Sequence, residues 1–404
     1  MDDFPVFFVG AFLLFIFGLV SRLIEKSVFS GPMFFLAAGV LMGPVGLAVI
    51  DLQLNTPTSK IIAELTLVLI LFVDASKIHH RDLVETLIGV PARLLGIGLP
   101  LTIVTGAIIA FLLFPDLDPW LVVLIALILS PTDAALGQAV ISSDKVPQRI
   151  RESISIESGL NDGIVLPLVL VCLAVLSGGA EAFNGGETWL PFMIKQLVLG
   201  PLIGALVGYG GGRLVDLAVN FGLMESTFQR LASISIALLA YAFAEFFDGN
   251  GFIAAFFAGL FLGVKSLAVR KRIQAFGGAE GQMLSLYIFF ILGLVGVPIA
   301  VPYLDLTMVA YSLLSLTIVR MMPVALSMIG SGWTGFSVLF VGWFGPRGIA
   351  SILYLLIVVG ELGTEGFERA IAIIVLVVVI STFLHGFSAA PMTKLFKGRR
   401  DKEA

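Results

Sequence analysis

Polar positions in this chain gather in short clusters, and between the clusters run apolar stretches of roughly 20 residues, the length a helix needs to cross a bilayer. Punctuated by Gly, Pro and charge, the runs fall at 6–20, 32–50, 61–78, 89–114, 120–141, 154–176, 190–217, 228–247, 252–269, 283–297, 306–328, 336–359 and 367–389. They do not alternate apolar with polar, as the strands of a membrane barrel would. The pattern predicts an all-α polytopic membrane protein of about 13 transmembrane helices. The run from Val6 follows Asp2 and Asp3 with no basic segment, so it is expected to be a first spanning helix rather than a signal peptide.

Composition agrees. Of 404 residues 58% are apolar and 13% are charged, against about 25% charged in soluble domains. Cys172 is the one cysteine, so neither an internal disulfide nor a cysteine metal site is expected.

Charge placement tests the span count. Arg22 and Lys26, Lys77 and Arg81, and Lys145, Arg149 and Arg151 follow the first, third and fifth runs. Arg213 and Arg230 flank the turn after the seventh, Lys265, Arg270, Lys271 and Arg272 follow the ninth, and Lys394 to Lys402 close the chain. The intervening loops are acidic or poor in cations. By the positive-inside rule the basic loops and the C-terminus are cytoplasmic and the N-terminus lies outside.

This layout permits an inverted repeat, with 1–180 as the first six helices, 181–222 as a single linking helix, 223–392 as the second six and 393–404 as a short basic tail. Interrupted segments at matching positions of two halves point to a transporter's binding site. Helix five carries Ser130-Pro131-Thr132-Asp133 and helix twelve carries Phe344-Gly345-Pro346-Arg347-Gly348, so crossed discontinuous helices 5 and 12 are expected. The linking helix has Gly200, Gly204, Gly208 and Gly212 in one stripe; intramolecular packing is the reading for it, with a dimer contact as the alternative.

Ionisable residues at membrane depth are costly and mark function by default. In helix six, Glu157 and Asn161 form one i, i+4 pair and Ser158 and Asp162 the next, so two oxygen-bearing rows share one side. Pro131 removes a backbone donor and frees polar groups near Thr132, which survive only in a cavity or buried in protein. Asp162, Asp133, Ser158 and Thr132 would suit a monovalent cation. The competing view is that these acids only pair with Arg320 and Arg347 to hold helices together; Glu157 is the natural partner for a membrane arginine. His79 and His80 fall in a basic turn, and His385 has no metal pattern around it.

Glu157-Ser-Gly-Leu-Asn161-Asp162 resembles the Glu-Ser-x-x-Asn-Asp motif of the sodium/proton exchangers, the electroneutral branch of the cation/proton antiporters. Pro131-Thr132-Asp133-Ala134 is similar to that family's unwinding motif, with Ala134 in place of proline, and Gly345-Pro346-Arg347-Gly348 looks like its Gly-x-Arg-Gly. The resemblance covers essentially the whole chain and fits a prokaryotic member. It implies that Asp162 exchanges cation for proton, that Asp133, Ser158 and the Thr132 backbone complete the cation's shell, and that Asn161 marks the electroneutral branch. It further implies that Glu157 pairs with Arg320, and that Asp133 and Arg347 compensate helix-end charge at the two breaks.

A site neutralised by either a proton or a cation crosses between the membrane faces, while the bare charged form does not, so strict exchange follows. No Walker motif appears, so ion gradients drive transport and no enzymatic activity or cofactor is expected. Sodium is the leading cation and a K+/proton antiporter the alternative; lithium is not separated from them. A passive cation channel or uptake carrier is the rival from another class. The expected partners are the cation, the proton, membrane lipid and a second copy in a homodimer, in a prokaryotic plasma membrane, with no nucleic acid.

Overall fold

A computed structural model describes residues 4–25, 29–50, 57–76, 78, 89–133, 136–179, 189–265 and 267–396. Ala134, Lys26, Lys77, His79, His80, Arg81 and the tail from Lys397 lie outside these. Every apolar run expected from the sequence contains a helix, and the described residues form no strand.

In chain order the helices are α1 (Phe4–Glu25), α2 (Gly31–Met42), α3 (Pro57–Ser76), α4 (Val90–Leu113), α5 (Pro119–Ile128), α6 (Gln138–Ile141) and α7 (Gln148–Ala174). There follow α8 (Trp189–Asn220), α9 (Ser226–Phe246), α10 (Gly251–Leu260), α11 (Leu267–Ile291), α12 (Leu306–Leu316) and α13 (Ile318–Ser327). The last three are α14 (Gly335–Trp343), α15 (Ile349–Leu362) and α16 (Glu368–Lys394). Among the described residues seven helical segments are long and apolar enough to cross a membrane.

Several runs are not single helices. Helix five breaks after Ile128 and resumes as α6; helix twelve breaks between Trp343 and Ile349. Both breaks were expected from their prolines. Three other departures correct the sequence reading. The run 32–50 is helical only to Met42, because Gly43 and Pro44 end it, and the amides of Val49 and Ile50 turn back to the Met42 carbonyl at 3.0 Å. The run 252–269 stops at Leu260 and continues as non-helical backbone through Lys265. The run 306–328 breaks at Thr317 (φ −111°, ψ −89°), whose hydroxyl donates to the Leu313 carbonyl at 2.6 Å. Local side-chain bonding of this kind competes with the helical ladder. Pro323 sits inside α13 without breaking it.

Two π-helical turns have one cause. In α4 the turn Leu94–Gly98 precedes Pro100, and beyond α11 the turn Leu292–Gly296 precedes Pro298. Proline has no N–H for the carbonyl four residues back. The preceding residue reaches five back instead, Leu99 to Leu94 and Val297 to Leu292.

By its contacts the chain divides into two compact units, one of 1–56, 86–161 and 285–404 and the other of 57–85 and 162–284. The second is built on small residues. α10 packs against α8, α9 and α3, and Ala237, Ala240, Ala244, Ala254, Ala255 and Ala258 are fully buried there. A Cβ on Gly204 or Gly208 would overlap the backbone of Ala254 or Ala258. The glycine stripe of α8 is therefore an intramolecular contact. It brings the helices close enough for Gly263 N–H to donate to the Gly208 carbonyl at 3.2 Å. The first unit carries both broken helices.

Candidate functional site

The two breaks of the first unit lie against each other, and each supplies what the other's free backbone groups lack. α5 starts conventionally: Asp118 accepts from Trp120 N–H at 2.8 Å and Leu121 N–H at 3.3 Å, ahead of a run of buried aliphatics. At its other end the last carbonyls need donors. Ser130 Oγ donates to Leu127 O at 2.9 Å and Ser351 Oγ to Ile128 O at 2.7 Å. Arg347 Nη1 donates to Ser130 O and, at 3.2 Å, to Pro131 O.

The reverse debt is met by Asp133. Its Oδ2 accepts from Ile349 N–H, the first amide of α15, at 2.8 Å, and its own N–H donates to Pro346 O at 2.8 Å. A carboxylate thus stands at a helix N-terminus and a guanidinium at a helix C-terminus, the signs that oppose the helix dipole at each end. Both side chains are buried. The site also needs Gly348: a Cβ there would lie 2.8 Å from both the Asp133 carboxyl carbon and Leu136 Cδ1.

α7 contributes the next layer. Glu157, Ser158 and Asn161 are buried on it at i, i+1 and i+4. Arg320 of α13 grips Glu157 with two parallel bonds, Nη1 to Oε1 at 2.6 Å and Nη2 to Oε2 at 2.8 Å. This bidentate geometry is the strong form of the pair. Thr132 Oγ1 lies 2.9 Å from Ser158 Oγ and accepts from Asn161 Nδ2 at 2.8 Å. The Asn161 carboxamide oxygen is buried and accepts no hydrogen bond from the described residues. Two acids and two arginines, Asp133, Glu157, Arg320 and Arg347, leave this cluster with no net charge. Asp162 follows Asn161 on the same helix; it is half-buried and belongs to the second unit.

The structure therefore brings together Thr132, Asp133, Glu157, Ser158, Asn161, Arg320 and Arg347. Thr132 takes part in these hydrogen bonds through its hydroxyl. Sequence reasoning missed Ser351, Ser381 and His385. Ser381 Oγ accepts from Arg347 N–H at 2.7 Å, and His385 Nε2 lies 2.9 Å from Trp343 O. Their i, i+4 spacing inside the otherwise apolar run of α16 was the available signal. Among the described residues no group of three or more His, Cys, Asp or Glu side chains could hold a metal ion.

Comparison with known proteins places this arrangement. Residues 9–395 match the family model described as sodium/hydrogen exchanger, transmembrane. The chain belongs to that family: it is a multi-pass membrane protein, a cation/proton antiporter and not an enzyme. It is 28% identical over 398 residues to the K(+)/H(+) antiporter NhaP of Alkalimonas amylolytica. It is 26% identical over 397 residues to the K(+)/H(+) antiporter NhaP2 of Shewanella sp. (strain MR-4). These alignments cover 97% of this chain and 67% of each relative, so the chain spans about two thirds of their length. The fold is similar to that of the sodium proton antiporter MjNhaP1 from Methanocaldococcus jannaschii, with a TM-score of 0.77 at 19% identity over 98% of this chain and 99% of that one.

Proposed function

We propose that this protein exchanges one monovalent cation for one proton by electroneutral alternating access, with K+ as the leading cation. The observation that carries the reading is the crossing of two broken helices in the first unit, where buried oxygens converge and the fixed charges already cancel. Asp162 enters through its place in the motif, one residue after Asn161, as the carboxylate that takes either ion. Thr132, Asp133, Ser158 and Asn161 supply further oxygens, and Glu157 with Arg320, and Arg347, hold them in position. One exchanging carboxylate beside a neutral Asn161 carries one positive charge each way, so net charge transfer is zero.

Sodium led the sequence reading. The K(+)/H(+) names of relatives matching nearly the whole chain now favour the alternative; the sodium proton antiporter of similar fold keeps Na+ as the second reading. About 13 spans in two inverted repeats (1–180 and 223–392) joined by a helix within 181–222 fit the helix lengths at matching positions. The second helix of each half is short, at 12 residues in α2 and 10 in α10, and the sixth is 27 residues in both α7 and α16. The N-terminus is assigned to the outside, the tail 393–404 to the cytoplasm, and the assembly to a homodimer in a prokaryotic plasma membrane.

The test is proteoliposomes holding a pH-sensitive dye, given K+, Na+ and Li+ in turn. The wild type should alkalinise or acidify the lumen with cation gradients and be indifferent to a clamped membrane potential. Asp162→Asn should insert normally and lose the response. Retained exchange in that variant would refute the role of Asp162, and a current proportional to flux would refute electroneutrality.

A further inference from the structure

The break in helix twelve takes two backbone groups out of the helical ladder, the Arg347 amide ahead of α15 and the Trp343 carbonyl at the end of α14. That carbonyl accepts locally from Gly345 N–H at 2.9 Å and has a second lone pair to offer. Both groups are met from one turn of α16. Ser381 Oγ accepts from Arg347 N–H at 2.7 Å, and His385 Nε2 lies 2.9 Å from Trp343 O. His385 Nδ1 lies 3.1 Å from Ser381 Oγ and 3.0 Å from Ser381 O. With the proton on Nε2 the bonds run in one direction. Arg347 N–H donates to the Ser381 hydroxyl, that hydroxyl donates to Nδ1, and Nε2–H donates to Trp343 O. A neutral imidazole has one donor and one acceptor, so in this tautomer Nδ1 accepts from the hydroxyl and its 3.0 Å approach to Ser381 O is a contact without a hydrogen bond.

The imidazole is itself fastened. Its ring lies 5.2 Å from the Trp343 ring, Trp343 Nε1 donates to Ser388 Oγ at 2.9 Å, and Ser388 Oγ donates to His385 O at 3.3 Å. Ser381 and His385 are buried, at 0% and 1% exposure. The Arg347 side chain carries the constraint onward, to the carbonyls of Ser130 and Pro131 at the other break.

We infer that His385, acting with Ser381, is a positioning residue for the exchange site. It spans the gap in helix twelve and so sets where Arg347 and the first amide of α15 stand relative to Asp133. The inference rests on the reading of the crossing as the exchange site. A polar pair that merely filled space in α16 would leave cation affinity untouched.

The experiment compares His385→Phe, His385→Gln and Ser381→Ala in the full chain, in nanodiscs and proteoliposomes. Gln replaces the Nε2–H donor, Phe replaces only the shape, and Ala removes only the hydroxyl. His385→Phe is expected to raise the KM for the cation on the order of fivefold with a smaller change in kcat, and His385→Gln to recover most of it. Hydrogen–deuterium exchange of peptides covering 343–350 should quicken in His385→Phe and Ser381→Ala and stay near wild type in His385→Gln. Wild-type KM and protection in His385→Phe would overturn the proposal, as would a Gln variant no better than Phe. If the Phe variant fails to insert, Ser381→Ala decides alone through exchange at 343–350. Faster exchange in the variants, beside a wild type with no cation-dependent proton movement, would overturn the transport reading and leave the brace standing.

Discussion

Where α8 packs on α10 in the second unit, the contact is made of glycine and alanine. Where 129–133 lies against 344–348 in the first, it is made of charges, hydroxyls and free backbone groups. Lipid tails are as apolar as leucine, so neither contact is driven by escape from water. The α8–α10 contact gains by closeness alone, with Gly208 against the Ala258 backbone. The crossing gains as its polar groups find partners, because each group left unpaired at that depth is costly. The lesson is one of tolerance. A close-packed contact fails by bulk, and a polar crossing fails by subtraction.

The largest expected effect comes from subtraction. Arg320→Met leaves the Glu157 carboxylate buried without its bidentate partner, and losing one member of such a pair costs about 3–5 kcal/mol. Thermal unfolding in detergent should show a large drop, and Glu157→Leu added to Arg320→Met should recover much of it. No recovery would mean that the two side chains act separately. Next comes bulk. Gly208→Val drives a side chain into the Ala258 backbone, and overpacking of this kind costs about 1–3 kcal/mol. Ala258→Gly should not repair it, since the obstacle is main chain. A Gly208→Val variant that melts like wild type would break the contrast.

The smallest effect tests an exposed polar end against both. Asp305 caps α12, accepting from Thr307 Oγ1 at 2.6 Å and Met308 N–H at 2.7 Å, with Arg369 Nη2 3.6 Å away. The Thr307 hydroxyl chiefly, aided by the Met308 amide and Arg369, holds its carboxyl below the ordinary value, against the pull of desolvation. A depressed pKa stabilises the fold above the unfolded value of about 3.9 and ceases to as pH falls through the folded value. Wild type should therefore lose a slight increment of stability over that acid range that Asp305→Asn lacks. Identical melting profiles from pH 6 to pH 3 would remove the cap from the account.

How far these regions could be read from the chain depends on how local their causes are. The breaks at Pro131 and Pro346 were legible because proline deletes a donor wherever it stands. That Glu157 pairs with a membrane arginine was legible because a buried arginine needs an acid; that the arginine is Arg320 was implied by the family resemblance. The break at Thr317 was not, since threonine inside an apolar run reads as an ordinary helical residue. Ser351, Ser381 and His385 were passed over for a different reason. Their partners, Ile128, Arg347 and Trp343, lie up to 223 residues away; the i, i+4 spacing of Ser381 and His385 marked a polar face but not what that face meets. Asp133 was read as a cation ligand and, through the resemblance, as a compensator of helix-end charge; one of its oxygens holds the Ile349 amide.

The paired π turns before Pro100 and Pro298 carry one more consequence. Each residue of an α-helix advances it by about 100°, and a π turn absorbs one extra residue. Side chains beyond the turn therefore point about a third of a revolution away from where a constant period would put them. Each proline stands two residues past its turn and offers no hydrogen to close the ordinary ladder. The offset is a permanent twist written into the rod, and it sets the phase of everything that the rod presents beyond it.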